Sequence, residues 1–249
     1  MSGSIETGAE LGALAAERPD RTRVFELLGF DYCCGGSQSL AAACERRGLD
    51  PTTVGAVIEA LERHQDPIEP VEEAEERDWR QASIGALCEH LVTVHHEWLR
   101  RELPRIAELL ATVVRVHGEG RPELAMTERT FTALREELEP HLGEEEERLF
   151  PACRAIEQGG SGTAFDLAEI DRHEAEHSDV GRRLVALREL TDGYDGGEAL
   201  CSTHRALLAA LRDLEADLHR HVHEENNVLF RRVRELAADA AAPSGGGRG

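Results

Sequence analysis

The sequence predicts an all-α protein: a small helical amino-terminal domain followed by an up-down four-helix bundle. Leu, Ala, Glu and Arg dominate while aromatics are only 4% of residues, a composition that favours helix. Period-two alternation is absent outside very short stretches, so no strand is expected. Beyond residue 78, apolar residues step by three and four, the seam of packed helices.

The elements follow in chain order. Residues 1–65 read as several short helices, punctuated by Pro19, Gly29, Gly35-Gly36 and Gly48-Leu49-Asp50-Pro51. Residues 66–77 (DPIEPVEEAEER) carry two prolines and many acids, and read as a linker. The bundle spans 78–238, with helices expected at roughly 78–117, 123–157, 163–191 and 196–238. Breaks near Gly118-Glu119-Gly120, Gly159-Gly160-Ser161-Gly162 and Gly193 to Gly197 separate them. Pro104 is expected to bend the first of these helices or shift its boundary, and Pro140 to bend the second. The tail 239–249, ending in PSGGGRG, reads as flexible. Long helices with short connections give an up-down bundle.

Polar residues interrupt all four seams at matched places. Leu207, Leu211, Leu214 and Leu218 step by 4, 3 and 4, and the same step continues onto His221, Glu225 and Val228. Val92, His96, Leu99, Leu103, Ile106 and Leu110 form a second seam, and Leu134, Leu138, His141, Glu145 and Leu149 a third. Leu167, Ile170, His177, Leu184 and Leu187 form the fourth. The pattern is a repeat of His … His-x-x-x-Glu, since His96 precedes His141 by 45 residues and His177 precedes His221 by 44. A carboxylate buried without a partner costs several kcal/mol. Four imidazoles and two carboxylates in four seams therefore describe a binuclear metal site, and residues four apart on a helix reach one centre.

A single His-x-x-x-Glu would mean little among 12 histidines and 49 acids, where a solvated face is the ordinary explanation. Two copies with shared flanks, matched upstream histidines and core register argue against chance. Imidazole plus carboxylate without thiolate suits iron, manganese or zinc, and open positions for a small ligand favour redox iron. Ferritin-like di-iron bundles use Glu-x-x-His, so the inverted motif fits that class poorly. A competing motif is His173-Glu174-x-x-His177, formally that of a zinc metalloprotease, but it leaves His96, His141 and His221 unexplained. His173, one turn before His177, is a candidate fifth imidazole. His90, His95, His117, His204, His219 and His223 fall off the seams and are expected at the solvated surface.

A formal charge of −21, with every cation an arginine, speaks against nucleic acid or an anionic membrane as partner. No apolar run approaches the roughly 18 residues of a membrane span. The start MSGSIETGAE does not read as a secretory signal. Six irregularly spaced cysteines fit reduced thiols, so a cytoplasmic protein is expected.

Asp31-Tyr32-Cys33-Cys34-Gly35-Gly36 is the second informative feature. Adjacent cysteines have Cα atoms about 3.8 Å apart, closer than ordinary disulfides favour. Exchange with a partner thiol, or metal ligation, is expected of Cys33 and Cys34, and the alternative is two thiols packed at a helix end. Cys44 is placed to face the pair, whereas Cys88, Cys153 and Cys201 read as packing thiols on bundle helices.

With these residues the chain resembles the iron–sulfur cluster repair di-iron proteins, also called Repair of Iron Centres proteins. The resemblance covers nearly the whole chain. Its carriers are DYCCGG at 31–36, LAAACERRG at 40–48, VHHEWLRRELPRI at 94–106, HLGEEEERLFP at 141–151, EAEHSDVG at 174–181 and HVHEENNVLF at 221–230. It implies a hemerythrin-like bundle holding two non-haem iron ions, carboxylate- and oxo-bridged. His96, His141, His177 and His221 would be terminal ligands, with Glu145 and Glu225 as bridges. It also implies repair of iron–sulfur clusters damaged by nitric oxide or oxidative stress, with damaged iron–sulfur proteins as partners and nitric oxide or oxygen as small ligand. Iron donation and nitric oxide reduction both remain open as its chemistry. Cys33 and Cys34 would act as a redox-active pair, and Glu176, beside His177, is a candidate proton relay. His173 departs from the pattern by recreating the His-x-x-x-His of oxygen-carrying hemerythrins. The rival reading is a hemerythrin-like sensor or carrier of oxygen or nitric oxide, which has no need of an exposed dithiol. The oligomeric state is open, a homodimer included.

Overall fold

In the computed structural model, residues 5–64, 78–159, 167–195, 197 and 201–241 are described. The expected linker at 66–77, the break at 160–166 and the last residues of the tail, 242–249, lie outside the described residues. The chain is all-α, and among the described residues the sole extended pairing is an isolated bridge between Glu10 and Ser39. Two compact units form, one from Met1–Ala82 with Val222–Arg232, the other from Ser83–His221 with Val233–Gly249.

The first unit contains α1 (Leu11–Glu17), α2 (Arg21–Leu28), α3 (Leu40–Arg47) and α4 (Pro51–His64). Capping chemistry sets their starts. Ser39 accepts from the Ala42 N–H at 3.2 Å, and Asp50 accepts from the Thr53 N–H at 2.8 Å. Leu11, Leu14, Phe25, Tyr32, Leu40 and Ile58 form the core. The buried Arg21 is neutralised by Glu62 at 2.7 Å and Glu17 at 2.6 Å, as a desolvated guanidinium requires.

Four helical rods make the bundle. The first is α5 (Ile84–His90), a π-helical turn π1 (Leu91–His96) and α6 (Glu97–His117). The second is α7 (Pro122–Glu144), π2 (Glu145–Leu149) and α8 (Phe150–Glu157). The third is α9 (Leu167–Leu190). The fourth is α10 (Ser202–His223), π3 (Glu224–Leu229) and α11 (Phe230–Ala241). Leu99, Leu103, Leu134, Leu138, Leu184, Leu187, Leu211 and Leu214 meet in one core, as the seams require. Pro104 and Pro140 end neither helix. Both lie on exposed faces, where water can satisfy the carbonyl each leaves unbonded.

The π turns correct the expected register. Each inserts one extra residue into its rod, so the buried face skips by five instead of four. In π1, Leu91 is fully buried while Val92 is only half-buried, and the face then resumes at His96 and Leu99. The same insertion turns His95 inward. At the start of the third rod, Leu167 is exposed, so the seam begins at Ile170.

Candidate metal centre

Three of the four rods carry their π turn at an expected ligand: His96 ends π1, Glu145 begins π2 and Glu225 lies in π3. His96, His177, His221, Glu145 and Glu225 are each at most 2% exposed, and His141 is 8% exposed.

Glu145 organises the second unit's site. Its Oε2 lies 3.5 Å from His96 Nε2, and His96 Nε2 lies 3.2 Å from His221 Nε2. Its Oε1 lies 2.9 Å from His141 Nε2 and 3.7 Å from His177 Nε2, and those two nitrogens are 3.0 Å apart. One carboxylate thus turns one oxygen toward each of two imidazole pairs. A metal–nitrogen bond of about 2.1 Å sets cis nitrogens about 3.0 Å apart, the spacing seen within each pair. Neither Glu145 oxygen has a partner in hydrogen-bond geometry, which is costly for a buried carboxylate unless a cation completes the site. Burial alone would raise the Glu145 pKa, but the facing His141, His173 and His177 rings hold it well below the ordinary value.

Glu225 follows His221 by one turn of the fourth rod. Ligand atoms of His96, Glu145 and His221 lie within 4.8 Å of one another, and so do those of His141, Glu145 and His177. Five of the six expected ligands are therefore brought together within the second unit, in two sets that share Glu145. The residues fit cations of the iron, manganese or zinc type, since each set offers two imidazoles and a carboxylate without sulfur.

Outer partners fix the rings. His96 Nδ1 faces Glu146 Oε1 at 2.7 Å, and His141 Nδ1 faces Glu176 Oε2 at 2.8 Å. An N–H on each Nδ1 leaves the Nε2 lone pair for a metal. Glu146 and Glu176 are in turn held by Arg100 at 2.8 Å and Arg172 at 2.7 Å. Burial opposes ionisation of Glu146 and Glu176, yet these arginines and the two histidines keep both below the ordinary carboxylate value.

Several histidines expected at the surface are buried. His95 is 3% exposed, stacks on His221 with centroids 5.3 Å apart and places Nδ1 3.0 Å from Asp217. His204 is buried with its ring stacked on that of His117, and its position three residues before Leu207 could have shown that it continues the seam. His223, in the first unit, packs edge-on to Tyr32. Burial lowers its pKa to about 4. His173 is fully buried, with Nδ1 3.5 Å from Glu145 Oε1. The protease alternative fails on Glu174, whose carboxylate is clamped by Arg234 at 2.6 and 2.8 Å.

The cysteine pair lies in the first unit. All six cysteines are free thiols. Cys33 is buried and Cys34 half-buried, with sulfurs 3.9 Å apart. Cys34, burial and the nearby Asp31 charge, in that order, push the Cys33 pKa well up. Cys44 belongs to the apolar core of that unit. Cys201 is exposed, just before α10, with its sulfur 3.3 Å from His117 Nε2, and so is not the packing thiol expected.

Residues 88–233 match the hemerythrin HHE cation binding domain, and residues 7–62 match ScdA_N, a domain of unknown function (DUF542). The chain is 34% identical over 224 residues to the iron-sulfur cluster repair protein YtfE of Yersinia pseudotuberculosis, covering 90% of this chain and 95% of that protein. It is 34% identical over 223 residues to the protein of that name from Pectobacterium atrosepticum, and 35% to that from Edwardsiella ictaluri, with the same coverage. No helix among the described residues is long and apolar enough to cross a membrane. The chain belongs to the family of iron–sulfur cluster repair proteins, which join a ScdA_N domain to a hemerythrin HHE cation binding domain.

Proposed function

We propose that the chain is a di-iron protein that repairs iron–sulfur clusters damaged by nitric oxide or oxidative stress. The observation that carries this reading is Glu145, fully buried, with one oxygen toward His96 and the other toward His141 and His177. Two iron ions would be held by His96 and His221 on one side and His141 and His177 on the other, with Glu145 and Glu225 shared. Bound there, iron supplies one-electron chemistry and open positions for nitric oxide or oxygen. The protein's part is to orient the ligands and exclude water. Glu146 and Glu176 fix the His96 and His141 rings, so Glu176 acts as a positioning residue; a proton shared with His141 Nδ1 is its route to the site. His173 Nδ1 sits where it can donate to Glu145 or a bound ligand. Cys33 and Cys34 would present thiols to the damaged client. The names of the relatives, which share the two domains, support the same reading.

The test is reactivation of a nitric-oxide-treated iron–sulfur hydro-lyase by the iron-loaded full chain. Glu145→Leu should lose both iron and reactivation. Cys33→Ser with Cys34→Ser should keep iron yet reactivate poorly, because transfer through thiolates is lost. Point variants are preferred to truncation, since Val222–Arg232 belongs to the same compact unit as the cysteine pair. Reactivation by Glu145→Leu at the wild-type rate would refute the reading.

A further inference from the structure

In the first unit, Asp31 stands beside both thiols. Its Oδ1 lies 3.4 Å from Cys33 Sγ and accepts the Cys34 N–H at 2.9 Å. We propose that Asp31, Cys33 and Cys34 form a second metal site, open at one position and suited to a thiophilic divalent cation such as Zn²⁺ or Fe²⁺.

The spacing is that of a tetrahedral ion's edges. Metal–sulfur bonds of about 2.3 Å at the tetrahedral angle put two sulfurs about 3.8 Å apart, and a sulfur and a carboxylate oxygen about 3.5 Å apart. The separations found are 3.9 Å and 3.4 Å. Potential ligand atoms of these three residues all lie within 4.8 Å of one another. Asp31 is exposed and Cys34 half-buried, which leaves a side for a water or a client's own ligand. Two sulfurs and one oxygen select a soft or borderline ion over Mg²⁺ or Ca²⁺. Binding is balanced by release of the two thiol protons to solvent.

The loop is held in shape before any ion arrives. Asn227 Nδ2 donates to the carbonyls of Cys33 at 3.0 Å and Tyr32 at 3.3 Å. A Cβ at Gly36 would lie 2.4 Å from Asn227 Oδ1, so only glycine admits this clasp. The Gln38 amide, donating to Asp31 O at 3.0 Å, closes the other side. The bundle site contains no sulfur, so the two sites are spectroscopically distinct.

The test adds Co²⁺ to the reduced, iron-loaded full chain. Sulfur-to-cobalt charge transfer with tetrahedral ligand-field bands should appear, saturate at one cobalt per chain and be bleached by Zn²⁺. Cys33→Ser and Cys34→Ser should each lose the charge-transfer band, Asp31→Asn should weaken cobalt binding about tenfold or more, and Cys201→Ser should leave it unchanged. Absence of the band in the wild type, its persistence in Cys33→Ser, its loss in Cys201→Ser, or unaltered affinity in Asp31→Asn would overturn the proposal. Bundle iron measured in the same samples should not change among these variants, so failure here is distinguishable from failure of the di-iron reading.

Discussion

Replacing Gly12 with alanine should destabilise the first unit, and removing the Asn227 side chain should abolish that effect. A Cβ on residue 12 would lie 2.3 Å from Asn227 Oδ1 and 2.7 Å from its Cγ, well inside contact distance. Asn227 cannot swing aside freely, because its amide donates to Tyr32 O and Cys33 O. Overpacking of this kind costs about 1–3 kcal/mol, and each hydrogen bond lost in relieving it about 1 kcal/mol. Gly12 lies in α1, where alanine gains about 1 kcal/mol in helix propensity. The net cost in the wild-type background is therefore about 1–3 kcal/mol. With Asn227→Ala, the nearest remaining atom is Gly36 O at 3.2 Å, and small shifts accommodate it. Gly12→Ala should then be neutral or stabilising by up to about 1 kcal/mol, a coupling of about 2 kcal/mol between the sites. Equilibrium urea unfolding of the four proteins measures it through Cm at constant m. Equal costs of Gly12→Ala in both backgrounds would refute the clasp.

Three further outcomes are expected. His223 stays neutral when folded, with a pKa of about 4 against an ordinary 6.5. The unfolded chain thus binds the extra proton between these values, and stability is full above about pH 6.5 and falls toward pH 4 by about 3 kcal/mol; His223→Gln should flatten this slope, and an unchanged slope would contradict it. Glu146→Gln should weaken iron retention about 10–100-fold in chelator competition, because His96 loses its charged outer partner; unchanged retention would show that His96 needs no such support. His95→Ala should lower iron affinity through the stacked His221 without abolishing binding, and retention equal to wild type would leave His95 a packing residue alone.

The bundle was legible because period and chemistry coincide in it. Leucine seams fix which face of each helix is buried, and a buried imidazole or carboxylate has few explanations besides a cation. The burial of His96, His141, Glu145, His177, His221 and Glu225 could thus be expected without coordinates. What escaped was whatever depends on a change of period. A register of 3.6 residues per turn puts His95 at the surface, while the inserted residue of π1 brings it inside to Asp217 and His221. Glu146 was hidden in a run of four glutamates, where sequence does not distinguish the ring-holding carboxylate from its solvated neighbours. Asn227 reaches the Cys33 carbonyl across 194 positions of sequence, and no local pattern announces such a contact.

Mössbauer spectroscopy with iron analysis of the full chain tests the proposed carboxylate-shared pair of irons most directly. Two iron atoms per chain in one spin-coupled pair are expected for the wild type, with both lost from Glu145→Leu, since that carboxylate faces both histidine pairs. A single tightly held zinc, uncoupled mononuclear iron, or a coupled pair that survives Glu145→Leu would contradict it.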